Sequence, residues 1–108
     1  MYILNAFSLG MLVGDANVAV REVSRAMAAS LAANCPSAVG HADTAAVFSN
    51  VLGGAVPCNR ATVVLKDGDL ALVGQYSGPR LPEGATSLPE GATIKWLVVR
   101  VSAPALEV

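Results

Sequence analysis

The sequence predicts an α+β domain in which helices pack on a small mixed β-sheet. The chain has 108 residues, enough for one domain, 1–108, with its own apolar core. Helical spacing of apolar residues dominates the first half, and β-branched and aliphatic runs dominate the second. The resulting order of strand, helix, helix and three strands is typical of helices covering a mixed sheet.

The first half of the chain predicts one short strand and two helices. Residues 2–4 are apolar and compatible with a strand. From Asn17 to Asn34 apolar residues recur at steps of three and four, which predicts an amphipathic helix that ends before Pro36. A second helix is expected through residues 45–52, and Gly53-Gly54 is its natural stop.

The second half predicts three strands. Residues 61–65 and 70–75 are joined by Lys66-Asp67-Gly68-Asp69, in which Asp-Gly favours an antiparallel hairpin. Residues 94–101 are apolar nearly throughout, so we expect a central strand covered on both faces. Before it, the hexapeptide Leu-Pro-Glu-Gly-Ala-Thr occurs twice, at 81–86 and 88–93, which indicates a local duplication in a loop.

Composition excludes several classes of function. A net charge of −1 lacks the basic surplus that drives binding to long nucleic acids. No apolar run approaches a membrane span, and no basic segment precedes an apolar one at the N-terminus. We therefore expect no membrane partner and a cytoplasmic location, in the host cell if the protein is viral. Cys35, Cys58 and His41 are too few for a four-ligand zinc site, so no metal is expected.

The only histidine, His41, is the first candidate for chemistry. It follows Gly40 near a helix start, where backbone amides and the macrodipole attract anions. Imidazole, with an ordinary pKa of about 6.5, can protonate a leaving group, although a lone histidine is more often a surface or capping residue. Arg60 and Arg80 suit phosphate oxygens or are solvated charges. The spacing leaves open whether Glu83 pairs with Arg80, orients the histidine or bonds a ribose hydroxyl.

For the remaining polar candidates, a structural role such as capping or turn formation explains the residue about as well as ligand binding does. Asp43 and Thr44 fall in a first helical turn, where capping is the expected role, although Thr44 could also bond a phosphate. Asn5 and Ser8 follow the first strand and suit a turn or a phosphate contact. Together these residue types are sufficient for RNA cleavage without metal, in which the substrate's own 2′-hydroxyl attacks the neighbouring phosphate.

Four separated motifs carry a resemblance to a known family. They are Asn5 to Leu12, Ser37 to Ala45 running into Leu52-Gly53, Asn59-Arg60, and Gln75 to Gly84 with the terminal strand. In these motifs the chain resembles the small type III anti-CRISPR ring nucleases of archaeal viruses and phages, together with their CRISPR-associated bacterial relatives, ring nuclease 2. The resemblance implies a homodimer that binds cyclic tetra-adenylate across its two-fold interface. Each subunit would cut one of two opposite phosphodiesters without metal or cofactor, giving di-adenylates and silencing type III CRISPR signalling.

The resemblance also implies roles for individual residues. It places the catalytic histidine on His41 and the arginine and glutamate of the pocket lid on Arg80 and Glu83, since Glu83 rather than Glu90 keeps the Arg-Leu-Pro-Glu spacing. Five further positions match ligand-contacting or site-building residues: Asn5, Ser8, Thr44, Arg60 and Gln75. Residues 85–93 depart from longer relatives, which have a helix there.

Two other functions remain open from the sequence. The protein could sequester the cyclic nucleotide without turnover, or it could be a capsid or scaffold protein with no nucleotide ligand, for which the high alanine and valine content is equally suitable.

Overall fold

A four-stranded mixed sheet with two helices forms the core of the chain and confirms the predicted α+β class. The computed structural model describes residues 1–104, so residues 105–108 of the predicted domain lie outside the described part. The strands are β1 (Tyr2–Leu4), β2 (Asn17–Val23), β3 (Leu70–Ser77) and β4 (Thr93–Ser102), and the helices are α1 (Arg25–Ala32) and α2 (Ala42–Leu52). The sheet order is β1-β3-β4-β2, with only the β1–β3 pair parallel.

The predicted helix from Asn17 to Asn34 is wrong in its first half. Residues 17–23 form β2, which pairs along its whole length with β4, from Asn17 opposite Ser102 to Val23 opposite Trp96. Val18, Val20 and Val23 fit a helical spacing, but the long partner strand supplies hydrogen bonds that local sequence does not reveal. Helix α1 begins only after Ser24, whose hydroxyl accepts a hydrogen bond from the Met27 amide at 3.1 Å.

The predicted hairpin is also wrong in its pairing. The turn at 66–69 forms, with the Asp69 amide donating to the Lys66 carbonyl at 2.9 Å. Both edges of β3 are occupied, however, by β1 on one side and β4 on the other. Residues 61–65 therefore leave the sheet, and the Leu65 amide donates to the Met11 carbonyl at 2.7 Å instead.

The other predicted elements are confirmed. Residues 2–4 form β1, and α2 ends at Leu52 with Gly53 in the left-handed conformation, φ +72°. Strand β4 is central, between β3 and β2. Its Trp96 is 3% exposed and packs edge-on to Phe48 of α2, with the ring centroids 5.0 Å apart.

Each face of the sheet is covered by a different apolar cluster. The helices cover one face, and the cluster there comprises Ile3, Ala28, Val39, Ala45, Phe48, Leu52, Val56, Leu72 and Trp96. The loop after β1 and the segment before β3 contribute to the cluster on the other face, which comprises Leu4, Ala38, Val63, Leu65, Ala71, Val73, Val99 and Val101. Within residues 1–104, no helix is both long and apolar enough to cross a membrane.

Candidate functional site

Three cavities that share lining residues adjoin one another, and we call them together the furrow. The first, of about 780 Å³, is lined by His41, Asp43, Thr44, Tyr76, Arg80, Leu81, Pro82 and Glu83. The second, of about 360 Å³, is lined by Asn5, Ala38, Gly40, His41, Arg60, Ala61 and Thr62. His41 lines both, so it lies at the junction between the side that holds Arg80 and Glu83 and the side that holds Arg60.

The third cavity extends the furrow across the sheet. It has a volume of about 500 Å³ and includes Asn5, Phe7, Val20, Gln75 and Leu97 in its lining. Asn5 also lines the second cavity, so it connects Gln75 to the histidine side of the furrow. Ser8 lines none of these three cavities; its hydroxyl accepts from the Gly10 amide at 3.2 Å and caps a 3₁₀ turn at Leu9–Met11.

His41 is held at the N-terminus of α2 by the backbone alone. It is the N-cap residue, in an extended conformation, and its carbonyl accepts from the Ala45 amide at 2.9 Å. The side chain makes no capping hydrogen bond and is exposed. The imidazole is therefore accessible from the furrow, beside helix-terminal amides that favour an anion.

Hydrogen bonds to β1 and to residues 58–60 hold the segment before His41 in place. The Ile3 carbonyl accepts from the Ala38 amide at 2.9 Å, and the Asn59 amide donates to the Val39 carbonyl at 2.8 Å. Arg60 then donates through Nε to the Gly40 carbonyl at 2.9 Å. Because this bond uses Nε, the terminal guanidinium nitrogens remain outside it and can meet an anion in the second cavity.

A loop after β3 forms the outer wall of the first cavity. We call residues 78–92 the lid. The Tyr76 hydroxyl donates to the Pro79 carbonyl at its start. Further along, the Ala85 amide donates to the Pro82 carbonyl at 3.0 Å, closing a turn in which Gly84 has φ +79°. This turn presents Glu83 to the cavity that His41 and Arg80 line.

Asp43 has a contact that the sequence did not reveal. Capping was its expected role, but its carboxylate accepts a hydrogen bond from the Gly84 amide of the lid at 3.0 Å. Tyr76 of β3 lines the cavity as well. The proximity of Asp43 to His41 in sequence was the available signal, but the contact with residue 84 spans 41 positions and could not be found locally.

The structure thus brings together most of the predicted site residues. His41, Thr44, Arg80 and Glu83 line one cavity. Arg60 and Asn5 line the next, and Gln75 the third. The arrangement offers a proton donor, guanidinium groups and helix-terminal amides around a space large enough for a nucleotide-sized anion. In the described part of the chain, no group of three or more His, Cys, Asp or Glu side chains could hold a metal ion.

The chain is similar to known proteins over most of its length. The sequence model of the STIV B116-like family matches residues 1–95. Among solved structures, B116 of Sulfolobus turreted icosahedral virus aligns with a TM-score of 0.75 and 23% identity, covering 92% of this chain and 97% of that chain. At this identity the likeness shows a shared fold. No curated protein sequence matches the chain.

Proposed function

Because the chain belongs to the STIV B116-like family, which is named after a viral protein, we propose that it cleaves cyclic tetra-adenylate into linear di-adenylates without a metal ion. Cyclic tetra-adenylate is the ligand that its sequence motifs imply. The observation that carries the proposal is the position of His41, which lines both a cavity with Arg80 and Glu83 and a cavity with Arg60. A phosphodiester in the furrow would meet a proton donor with cationic groups on either side.

The chemistry needs only the substrate, these side chains and a water molecule that accepts a proton. The 2′-oxygen attacks the adjacent phosphorus and loses its proton to water, and a bond from phosphorus to the 2′-oxygen forms. The bond from phosphorus to the 5′-oxygen breaks, and His41 protonates that departing oxygen. The products are a 2′,3′-cyclic phosphate and a 5′-hydroxyl. Arg60 and Arg80 stabilise the negative charge that builds up on the phosphoryl oxygens.

Opening the ring into two di-adenylates requires two such sites. Each chain holds one histidine, so a second copy of the chain supplies the second acid. A two-fold homodimer matches the symmetry of a four-membered ring, in which opposite phosphodiesters are equivalent.

The test is cleavage of the purified ring in the presence of EDTA, followed by chromatography. The wild type should produce di-adenylate, and His41→Ala should bind the ring with similar affinity but cleave it about 10²- to 10⁴-fold more slowly. Wild-type cleavage by His41→Ala would contradict the mechanism. If the wild type binds the ring tightly but forms no product, the function is sequestration of the ring and not cleavage. If it does not bind the ring, cyclic tetra-adenylate is not its ligand. Parallel assays of the three-, four- and six-membered rings establish the preferred size.

A further inference from the structure

The duplicated hexapeptide gives the lid two turns with the same local conformation. The Ala85 amide donates to the Pro82 carbonyl at 3.0 Å in the first copy, and the Ala92 amide donates to the Pro89 carbonyl at 3.1 Å in the second. The central glycines, Gly84 and Gly91, both have φ +79°. The hexapeptide itself therefore does not determine whether Glu83 or Glu90 lines the cavity with His41.

The surroundings of the two turns differ. In the first copy, the Gly84 amide points outward from the turn and donates to Oδ1 of Asp43 at 3.0 Å. In the second copy, the Gly91 amide has no acceptor within residues 1–104. Ala92 is instead buried against the start of the lid, where a Cβ at Gly78 would lie 2.7 Å from the Ala92 Cβ. The second turn is thus packed at the base of the lid, while the first is attached to α2.

We propose that Asp43 is a positioning residue that fastens the first turn of the lid and thereby selects Glu83, rather than Glu90, as the glutamate that lines the cavity with His41. The proposal rests on the proposed function of the site. Asp43 lies two residues after His41 in the first turn of α2, so the helix fixes the acceptor relative to the imidazole. A carboxylate that accepts from a backbone amide is a strong, directional acceptor. Asp43 thus acts on the reaction through the lid, and its carboxylate has no need to touch the substrate.

Amide hydrogen exchange measured by NMR tests the attachment without any cleavage assay. In the wild type, the Gly84 amide should exchange about tenfold more slowly than the Gly91 amide, which serves as an internal control of identical local sequence. Asp43→Ala should bring Gly84 to the rate of Gly91. Asp43→Asn keeps an oxygen acceptor and should retain most of the protection. Equal rates for both glycines in the wild type, or an unchanged Gly84 rate in Asp43→Ala, would overturn the proposal.

Single-turnover cleavage at saturating protein tests the consequence for the site. Asp43→Ala should lower the cleavage rate constant roughly 5- to 20-fold while changing the dissociation constant for the ring less than about threefold. Asp43→Asn should recover most of the rate. Asp67→Ala is the matched control, because Asp67 also accepts from a backbone amide, that of Ala103 at 2.9 Å, and lines none of the three furrow cavities.

The two experiments separate the possible failures. If the wild type does not cleave the ring, the proposed function fails, whereas the exchange rates of Gly84 still decide whether Asp43 holds the lid. If Asp43→Ala loses protection at Gly84 but cleaves at the wild-type rate, the bond has no role in positioning. Unchanged amide exchange within α2 shows that Asp43→Ala is folded. If Asp43→Ala does not fold, Asp43→Asn is used for the same test.

Discussion

Gly74 of β3 lies directly beneath the indole of Trp96, its cross-strand partner in β4. A Cβ at Gly74 would be 2.5 Å from Cζ3 of Trp96 and 2.6 Å from Cζ of Phe48. The absence of a side chain at this position lets both rings lie against the sheet backbone. Because Phe48 belongs to α2, this contact determines how closely the helix that begins beside His41 approaches the sheet.

Gly74→Ala should therefore destabilise the fold. The added methyl group meets two buried rings that have little freedom to move, and overpacking of this kind costs roughly 1–3 kcal/mol in unfolding free energy. Urea denaturation followed by tryptophan fluorescence measures the change. Gly54→Ala is the control, since its Cβ would meet nothing within 4 Å. Equal urea midpoints for Gly74→Ala and Gly54→Ala would show that the Trp96 and Phe48 rings can move to accommodate the added methyl group.

Ser49 connects α2 to the segment that follows it. Its hydroxyl donates to the Ala45 carbonyl at 2.8 Å and accepts from the Val56 amide at 2.8 Å. Ser49→Ala would leave that part-buried amide without its acceptor, so we expect a loss of roughly 1–3 kcal/mol in unfolding free energy. Asn50→Ala, at an exposed neighbouring position, should be close to neutral in the same denaturation experiment. A neutral Ser49→Ala would mean that water replaces the hydroxyl.

The duplicated hexapeptide provides a matched pair for testing the site. Glu83 lines the cavity with His41, and Glu90 does not. Glu83→Gln should reduce cleavage of the cyclic ring about 10- to 100-fold, because the substitution removes the carboxylate from the cavity that His41 lines. Glu90→Gln should stay within about twofold of the wild type. A larger effect at Glu90 would assign the second turn, not the first, to the site.

The two cysteines should differ in reactivity. Burial raises the pKa of the Cys35 thiol, an effect that the nearby N-terminal charge partly opposes. Its Sγ also donates to the Leu31 carbonyl at 3.1 Å. A raised thiol pKa lowers the thiolate fraction at pH 8, so iodoacetamide should modify exposed Cys58 about tenfold faster, as read by mass spectrometry. Cys58→Ser and Cys35→Ser assign the two rates. Faster labelling of Cys35 would indicate that the α1 end opens readily.

The sequence determined those features that depend on neighbouring residues. The apolar run of β4, the glycine stop of α2 and the turn residues at 66–69 have local physical causes, and all three are confirmed. His41 was found in advance because it is the chain's single histidine, whereas Arg80 and Glu83 were singled out among five arginines and four glutamates by the family resemblance of the motif around them. Their roles in cleavage stay predictions.

The tertiary structure decided what depends on distant partners. Residues 17–23 became a strand because β4 offered a free edge, and 61–65 left the sheet because both edges of β3 were occupied. The choice between Glu83 and Glu90 has the same origin. The two hexapeptides are identical, and contacts with other parts of the chain distinguish them: the Asp43 carboxylate accepts from the Gly84 amide, while Ala92 of the second copy packs against Gly78.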